Sequence, residues 1–205
     1  VQEAMTALSR KPPRRDTESG LLFIDSGAHS LYNQNIYHKP EVMALPINQR
    51  YCWYETDEFW AYCDAYAAFI KKYADVIDFY VNVDVIYHPE KSWEVQQYLE
   101  NTHNLKPVPV VHYGCPMKWV DRYVKAGYDL LGVGGLGQGA TKDTYIAWAD
   151  RLFDHICPRP DRLPVIKTHG FAMTAYDLML RYPWFSVDSA TWTKVGAFGS
   201  IIVPH

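Results

Sequence analysis

Along this chain, runs that are apolar throughout alternate with runs of helical character, and from residue 56 onward no low-complexity linker interrupts the alternation. The plainest helix is "TDEFWAYCDAYAAFIKKYADV", which opens on Thr56 as an N-cap, has acids in its first turn and carries lysines late. The strand candidates after it are "FYVNVDVI", "VPVVHYG", "LLGVGGL", "PVIKTHGF" and "FSVDSAT", with helices predicted near residues 89–103, 116–126, 141–156 and 172–182 between them. Pro116 at a helix start and Gly127 at its end fit the usual asymmetry of helix termini. Before the first helix, "LLFID" reads as a strand and residues 28–55 as an irregular segment rich in Tyr, Asn and Pro; a terminal "SIIVP" completes a set of seven strand candidates.

Strands without a polar face are expected where helices cover a parallel sheet. A doubly wound sheet and a (β/α) barrel share that local pattern, but the first announces itself by a glycine-rich phosphate-binding turn after an early strand, and "DSGAHS" is not one. The barrel explains more. Nearly every strand candidate runs out at a polar residue or a glycine, namely Asp25, Asp84, His112, Gly134 with Gly135, His169 and Asp188, and barrels carry their chemistry at those carboxyl ends. The expected fold class is therefore α/β, a (β/α) TIM-type barrel. With seven strands it is incomplete, has fewer than eight regular strands, or begins before Val1. Residues 1–205 are expected to form that single barrel domain, with a basic, mobile N-terminal arm over about residues 1–19.

Composition changes this picture little. The chain of 205 residues is 48% hydrophobic and 21% charged, enough to bury one substantial core. No run approaches the roughly 18 apolar residues of a membrane span, and no basic segment followed by an apolar stretch opens the chain, so a soluble, cytoplasmic protein with no membrane partner is expected. A net charge of −3 and a sequence pI near 6.2 do not advertise a nucleic-acid binder. "SRKPPRR", residues 9–15, is a local basic patch, read as part of the solvated arm. Cys52, Cys63, Cys115 and Cys157 lack CxxC or CxC spacing, which offers neither a zinc clip nor a disulfide framework and makes buried free thiols the expectation.

Two aspartates at strand ends can serve cleavage of a glycosidic bond, one attacking the anomeric carbon while the other manages the proton of the leaving group. Asp25 and Asp188 are that candidate pair. Each can equally cap its own turn, beside Ser26 and Gly27 or beside Ser189, and spacing does not separate the two possibilities. "LLGVGGLGQG" holds five glycines in ten residues, which permits close backbone approach to a flat or phosphate-bearing ligand without the spacing of a P-loop. His112 and His169 are open as ligands, acid–base groups or hydrogen-bonding residues.

In order along residues 21–192, "FIDSGAHS" resembles the DSGG-type signature of the tRNA-guanine transglycosylase superfamily, "NVDVI" its base-binding strand, "GVGGLGQG" its GGL segment and "FSVDSATW" the strand bearing its nucleophile. The wording of "HGFAMTAYDLMLRYPWFSVDSATW" is most similar to compact virus-encoded members associated with placing 7-deazaguanine bases in DNA. The resemblance implies exchange of a guanine in a polynucleotide, DNA in preference to tRNA, for a 7-deazaguanine such as preQ0. It makes Asp188 the nucleophile on C1′ and Asp25 the general acid/base. It gives Asp84 the guanine-like edge, Gly134, Gly135 and Leu136 backbone contacts to the base, and Ser26, Gly27, His112, His169 and Gly170 the pocket wall.

This sequence has Ala28 where the tRNA enzymes have a further glycine, His112 and Tyr113 near a glutamine position, and no CxCxxC…H zinc motif, so no cofactor or metal is expected. A homodimer or a partner protein stays open. Tyr32, Tyr37, Tyr51, Trp53 and Tyr54 crowd the irregular segment, where stacking on a flipped or unpaired base would be useful, whereas Trp60, Phe69, Trp148 and Phe153 fall at helical spacing and read as core. Three other classes compete. A metal-dependent hydrolase would recruit His112, His169 and Asp188, although the HxH pair of common barrel hydrolases is missing. A retaining glycosidase would use the same aspartates with water, and a non-catalytic nucleic-acid-binding barrel would not need Asp188.

Overall fold

The computed structural model describes residues 21–135, 141–158, 160, 163–173 and 175–188. They fall into two compact units divided between Pro109 and Val110. The basic arm and "SIIVP" lie outside the described residues.

In the first unit, β1 (Phe23–Ile24) pairs in parallel with β2 (Phe79–Tyr80). The segment between them is not loop but a series of short turns: α1 (Ala28–Tyr32), a π-helical turn (Asn33–Tyr37), α2 (Pro40–Met43) and 3₁₀ turns at Ile47–Gln49 and Cys52–Glu55. Next comes α3 (Asp57–Lys72), the helix predicted from Thr56. Thr56 accepts the Phe59 N–H at 3.4 Å, Asp57 and Glu58 sit in the positive first turn, and Lys71 and Lys72 in the negative last one. Its buried stripe, Phe59, Tyr62, Cys63, Tyr66, Ala67 and Ile70, follows the i, i+3, i+4 spacing of an amphipathic helix and supplies much of the unit's core. Trp60 and Phe69 pack half-buried against that core.

The predicted strand "FYVNVDVI" is buried over residues 81–86, yet regular pairing stops at Tyr80 and continues only as an isolated parallel bridge between Val81 and Val108. Side chains take over the backbone there. Tyr66 Oη donates to Val81 O at 2.7 Å, Asn82 Nδ2 donates to Ser92 O at 2.8 Å, and Ser92 Oγ bonds both the N–H and the carbonyl of Val85, at 2.9 and 3.1 Å. Ser92 belongs to α4 (Pro89–Asn101), which starts with proline and is capped by His88 Nδ1. The Lys91 ammonium lies 2.6 Å from Glu55 and 2.7 Å from Glu94, fastening α4 to the 3₁₀ turn. Burial alone would lower its pKa, and the two carboxylates raise it above the ordinary lysine value.

The second unit repeats strand and helix without interruption: β3 (Val110–His112), α5 (Met117–Lys125), β4 (Leu130–Gly134), α6 (Lys142–Ile156), β5 (Lys167–Gly170), α7 (Tyr176–Arg181) and β6 (Ser186–Val187). The strands are parallel and stand in the order β3-β4-β5-β6. As predicted, Pro116 precedes α5 and Gly127, at φ 81°, follows it. Helix α6 buries Trp148 and Phe153 with Tyr145, Ala149, Leu152 and Ile156. Tyr182 stacks on Phe153 at 4.6 Å, and Arg181 grips Asp150 through two bonds of 2.9 and 2.8 Å, which ties α7 to α6.

The TIM-type barrel is not found. The strands form two open parallel sheets, of two and four strands. Closure requires two neighbours for every strand, and among the described residues β1 pairs with β2 alone and β6 with β5 alone. The sequential order also lacks the reversal of a doubly wound sheet. The thiols differ from expectation in part: all four are free, with Cys63 and Cys115 buried, but Cys52 is exposed and Cys157 half-buried. No helix among the described residues is long and apolar enough to cross a membrane.

Phe59 is fully buried, its ring centroid 4.9 Å from that of Tyr54 and 5.5 Å from that of Trp53. Truncating it leaves a cavity at the centre of the first unit, so Phe59→Ala should cost about 3–5 kcal/mol in urea denaturation.

Candidate functional site

Parallel pairing sets side chains of adjacent strands side by side, and the register of the second unit makes two lateral rows. His112 pairs with Gly134, while Val110 pairs with Gly132, Gly132 with His169 and His169 with Ser186. Alternation puts Phe171 and Asp188 on the same strand face as His169 and Ser186, one step nearer the carboxyl ends.

Asp188 immediately follows β6, its N–H donating to Gly170 O at 3.1 Å. Its Oδ1 accepts the Ala172 N–H at 2.6 Å, and its Oδ2 stands 3.9 Å from His169 Nε2, an ion-pair distance rather than a direct hydrogen bond. The carboxylate is nevertheless 57% exposed, open to a partner outside the chain. Partial burial pushes its pKa up, but His169 and the Ala172 N–H outweigh that and hold it below the usual carboxylate value. Ala172 achieves this donation at φ 52°, in the left-handed region that a residue with a Cβ seldom occupies. His169 is buried, its Nδ1 2.8 Å from Ser186 Oγ and its ring edge-on to Phe171 at 4.6 Å.

The glycines of β4 make room. A Cβ on Gly132 would lie 2.5 Å from Phe171 Cε2, and one on Gly134 would lie 3.4 Å from the His112 ring. Phe171 therefore lies across a floor that any larger residue at Gly132 would displace. Gly135 has φ 96°, and a Cβ there would meet Tyr113 N at 2.8 Å. Leu136 lies outside the described residues. Gly170 ends β5, the space beside it bounded by Val187 and Met173.

The first unit holds the remaining predicted residues. Asp25 follows β1 and is exposed, its Oδ1 accepting the Gly27 N–H at 3.3 Å, so it does cap its own turn. Gly27 is required there twice over, by φ 77° and by the Tyr62 hydroxyl 2.9 Å from where a Cβ would stand. Tyr62 Oη donates to Ser26 O at 2.6 Å and fixes the turn, while Ser26 itself is buried and its Oγ accepts the Ala28 N–H at 3.4 Å. Ser26 thus faces inward as a structural residue. Asp84 is also buried, on the side-chain-held stretch after β2. Burial raises the pKa of Tyr66, and the charges of Asp25 and Asp84 add to the rise. Tyr54 is raised in the same way by burial and then by Asp84.

The carboxylate pair is thus divided: Asp25 belongs to the first unit and Asp188 to the second. The aromatic segment departs from the stacking expectation. Tyr54 and Tyr32 are buried in the core, Tyr51 and Trp53 pack against it, and Tyr37 is the one largely exposed, at 52%. Among the described residues no group of three His, Cys, Asp or Glu side chains converges as metal ligands would. Four participants escaped sequence reasoning: Ala172, Ser186, Phe171 and Gly132. The period of two in "FSVD" does place Ser186 and Asp188 on one face, whereas nothing in the sequence marks an alanine for the left-handed region.

Gly132→Ala should lower stability by about 1–3 kcal/mol through overpacking against Phe171, and Phe171→Ala should remove most of that penalty in the double variant; additivity in a denaturation cycle would show that the ring does not occupy the floor. Tyr62→Phe leaves the buried Ser26 carbonyl without its donor and should cost about 1–3 kcal/mol by the same measurement. Comparison with known proteins adds no relative: no family model, no curated protein and no solved structure matches the chain.

Proposed function

We propose that the protein is a base-exchange transglycosylase, a pentosyltransferase that replaces guanine in a polynucleotide, DNA before tRNA, with a 7-deazaguanine such as preQ0. The observation that carries this reading is the state of Asp188. It is an exposed strand-end carboxylate, held in ionised form, with one oxygen tied to a backbone N–H and the other 3.9 Å from the ring of His169. A nucleophile needs that combination of fixed orientation, charge and access.

In the proposed reaction Asp188 Oδ2 attacks C1′ as the C1′–N9 bond breaks, and guanine departs with the electron pair and takes up a proton. The polynucleotide stays bound as a glycosyl ester. The incoming base then attacks C1′ through its ring nitrogen, loses that nitrogen's proton to the general base, and releases Asp188. Asp25 is the proposed acid/base and Asp84 the acceptor for the N1–H and amino edge of the base. The resemblance of the four motifs supports both assignments, and Asp25 follows directly on β1. Gly134 and Gly135, beside His112 and Tyr113, are the proposed backbone contacts to the base. Two successive displacements return the original anomeric configuration, and a base competes with water for the second.

The test is a denaturing gel of the protein with labelled duplex DNA, single-stranded DNA or tRNA, with and without preQ0. Wild-type protein should give a shifted band with one polymer, the band should clear on adding the free base, and Asp188→Asn should give none. Because the folded-state pKa of Asp188 is depressed, its ionised form persists to lower pH than that of an ordinary carboxylate and is lost as pH falls through the depressed value. Band formation should therefore decline at a lower pH than the titration of an ordinary carboxylate would set. Release of product to water without added base would make the protein a retaining glycosidase; absence of a band with every polymer would sink the nucleophile assignment.

A further inference from the structure

The proposed reaction uses Asp188 but leaves unexplained why a buried histidine and a serine hydroxyl sit beside it. His169 and Ser186 are neighbours by register, not by chance rotamers: they are paired residues of adjacent parallel strands, with Nδ1 and Oγ 2.8 Å apart. Phe171 packs edge-on against the imidazole, so the ring has little freedom to turn. With Nδ1 engaged by Ser186, the other nitrogen faces Asp188 Oδ2.

We propose that Ser186 and His169 form a positioning pair for Asp188, in which the Ser186 hydroxyl donates to Nδ1, leaves the ring proton on Nε2, and so turns an N–H toward Oδ2. The second nitrogen of a histidine takes the proton when the first accepts a hydrogen bond. The carboxylate is then fixed at Oδ1 by the Ala172 N–H, 2.6 Å away, and faced at Oδ2 by the Nε2 side of His169, 3.9 Å away. Of the titratable side chains on this strand face, Lys167 lies toward the amino ends over the Phe185 ring and His112 stands two strands from β5, whereas His169 is the one at Asp188. This assignment rests on the proposed role of Asp188 for its effect on rate, but its geometric claim stands on the pair itself.

The experiment separates the two. The full chain carrying 13C-labelled aspartate side chains is titrated by NMR, with the Asp188 signal identified by its absence in Asp188→Asn, for wild type, Ser186→Ala, His169→Gln and His169→Ala. Removing the ring in His169→Ala should move the Asp188 midpoint upward, toward the ordinary carboxylate value. His169→Gln, which returns an N–H near the Nε2 position, should restore part of the shift, and Ser186→Ala, the mildest change, should move it in the same upward direction. In the denaturing-gel assay the rate of band formation should fall about 10²-fold in His169→Ala, as expected when a reacting group is misplaced, with the acid limb of its pH profile moved upward. An Asp188 midpoint unchanged in both Ser186→Ala and His169→Ala would overturn the positioning pair, and where His169→Ala fails to fold an unchanged midpoint in Ser186→Ala does so by itself. Shifted midpoints in a protein that forms no band would uphold the pair and count against the transglycosylase reading alone.

Discussion

Parallel pairing with every strand in sequential order forces the carboxyl ends of β3 to β6 onto one edge, and the lateral register then decides which side chains meet there. That constraint determines most of the chemistry open to the second unit. A shift of one residue in β6 would turn Ser186 and Asp188 to the opposite face, away from His169. The backbone bonds that fix the register, such as Asp188 N–H to Gly170 O and Phe171 N–H to Val133 O, are therefore also what sets the distance between the histidine and the carboxylate.

Glycine and strain play complementary parts around this edge. Gly132 and Gly134 withdraw side chains from the strand face so that Phe171 and His112 can occupy it. Ala172 does the reverse, accepting a left-handed backbone so that its N–H reaches a carboxylate. Conformational cost of that kind persists only where the surroundings over-determine it, here through the Asp188 bond on one side and the buried Met173 on the other.

How much could be read in advance depended on whether a signal was local. Thr56, Pro116 and Gly127 mark helix boundaries by their own backbone and capping preferences, and the structure puts boundaries there. The apolar runs located the strands, but their length was overestimated at "FYVNVDVI", because a buried apolar stretch looks the same whether its carbonyls meet another strand or a tyrosine and a serine. Sheet closure is a long-range property that repeats of strand and helix do not encode. The residues at the site divide in the same way. Asp25, Asp84 and Asp188 stand out as charges at the ends of apolar runs, whereas Ser26 is an inward structural residue and the stacking tyrosines are mostly core, since burial is decided by neighbours far along the chain.

In the stretch after β2, side chains stand in for a strand ladder, and this ties its opening to that of its neighbours. Backbone partners reach only its start, where the Val81 and Asn82 amides bond Ile24 O and Val108 O; further on the amide of Val85 is held by Ser92 of α4, and the carbonyl of Val81 is held by Tyr66 of α3. Exposure of the Val85 amide to solvent therefore requires α4 to move away, which couples the opening of the segment bearing Asp84 to that helix.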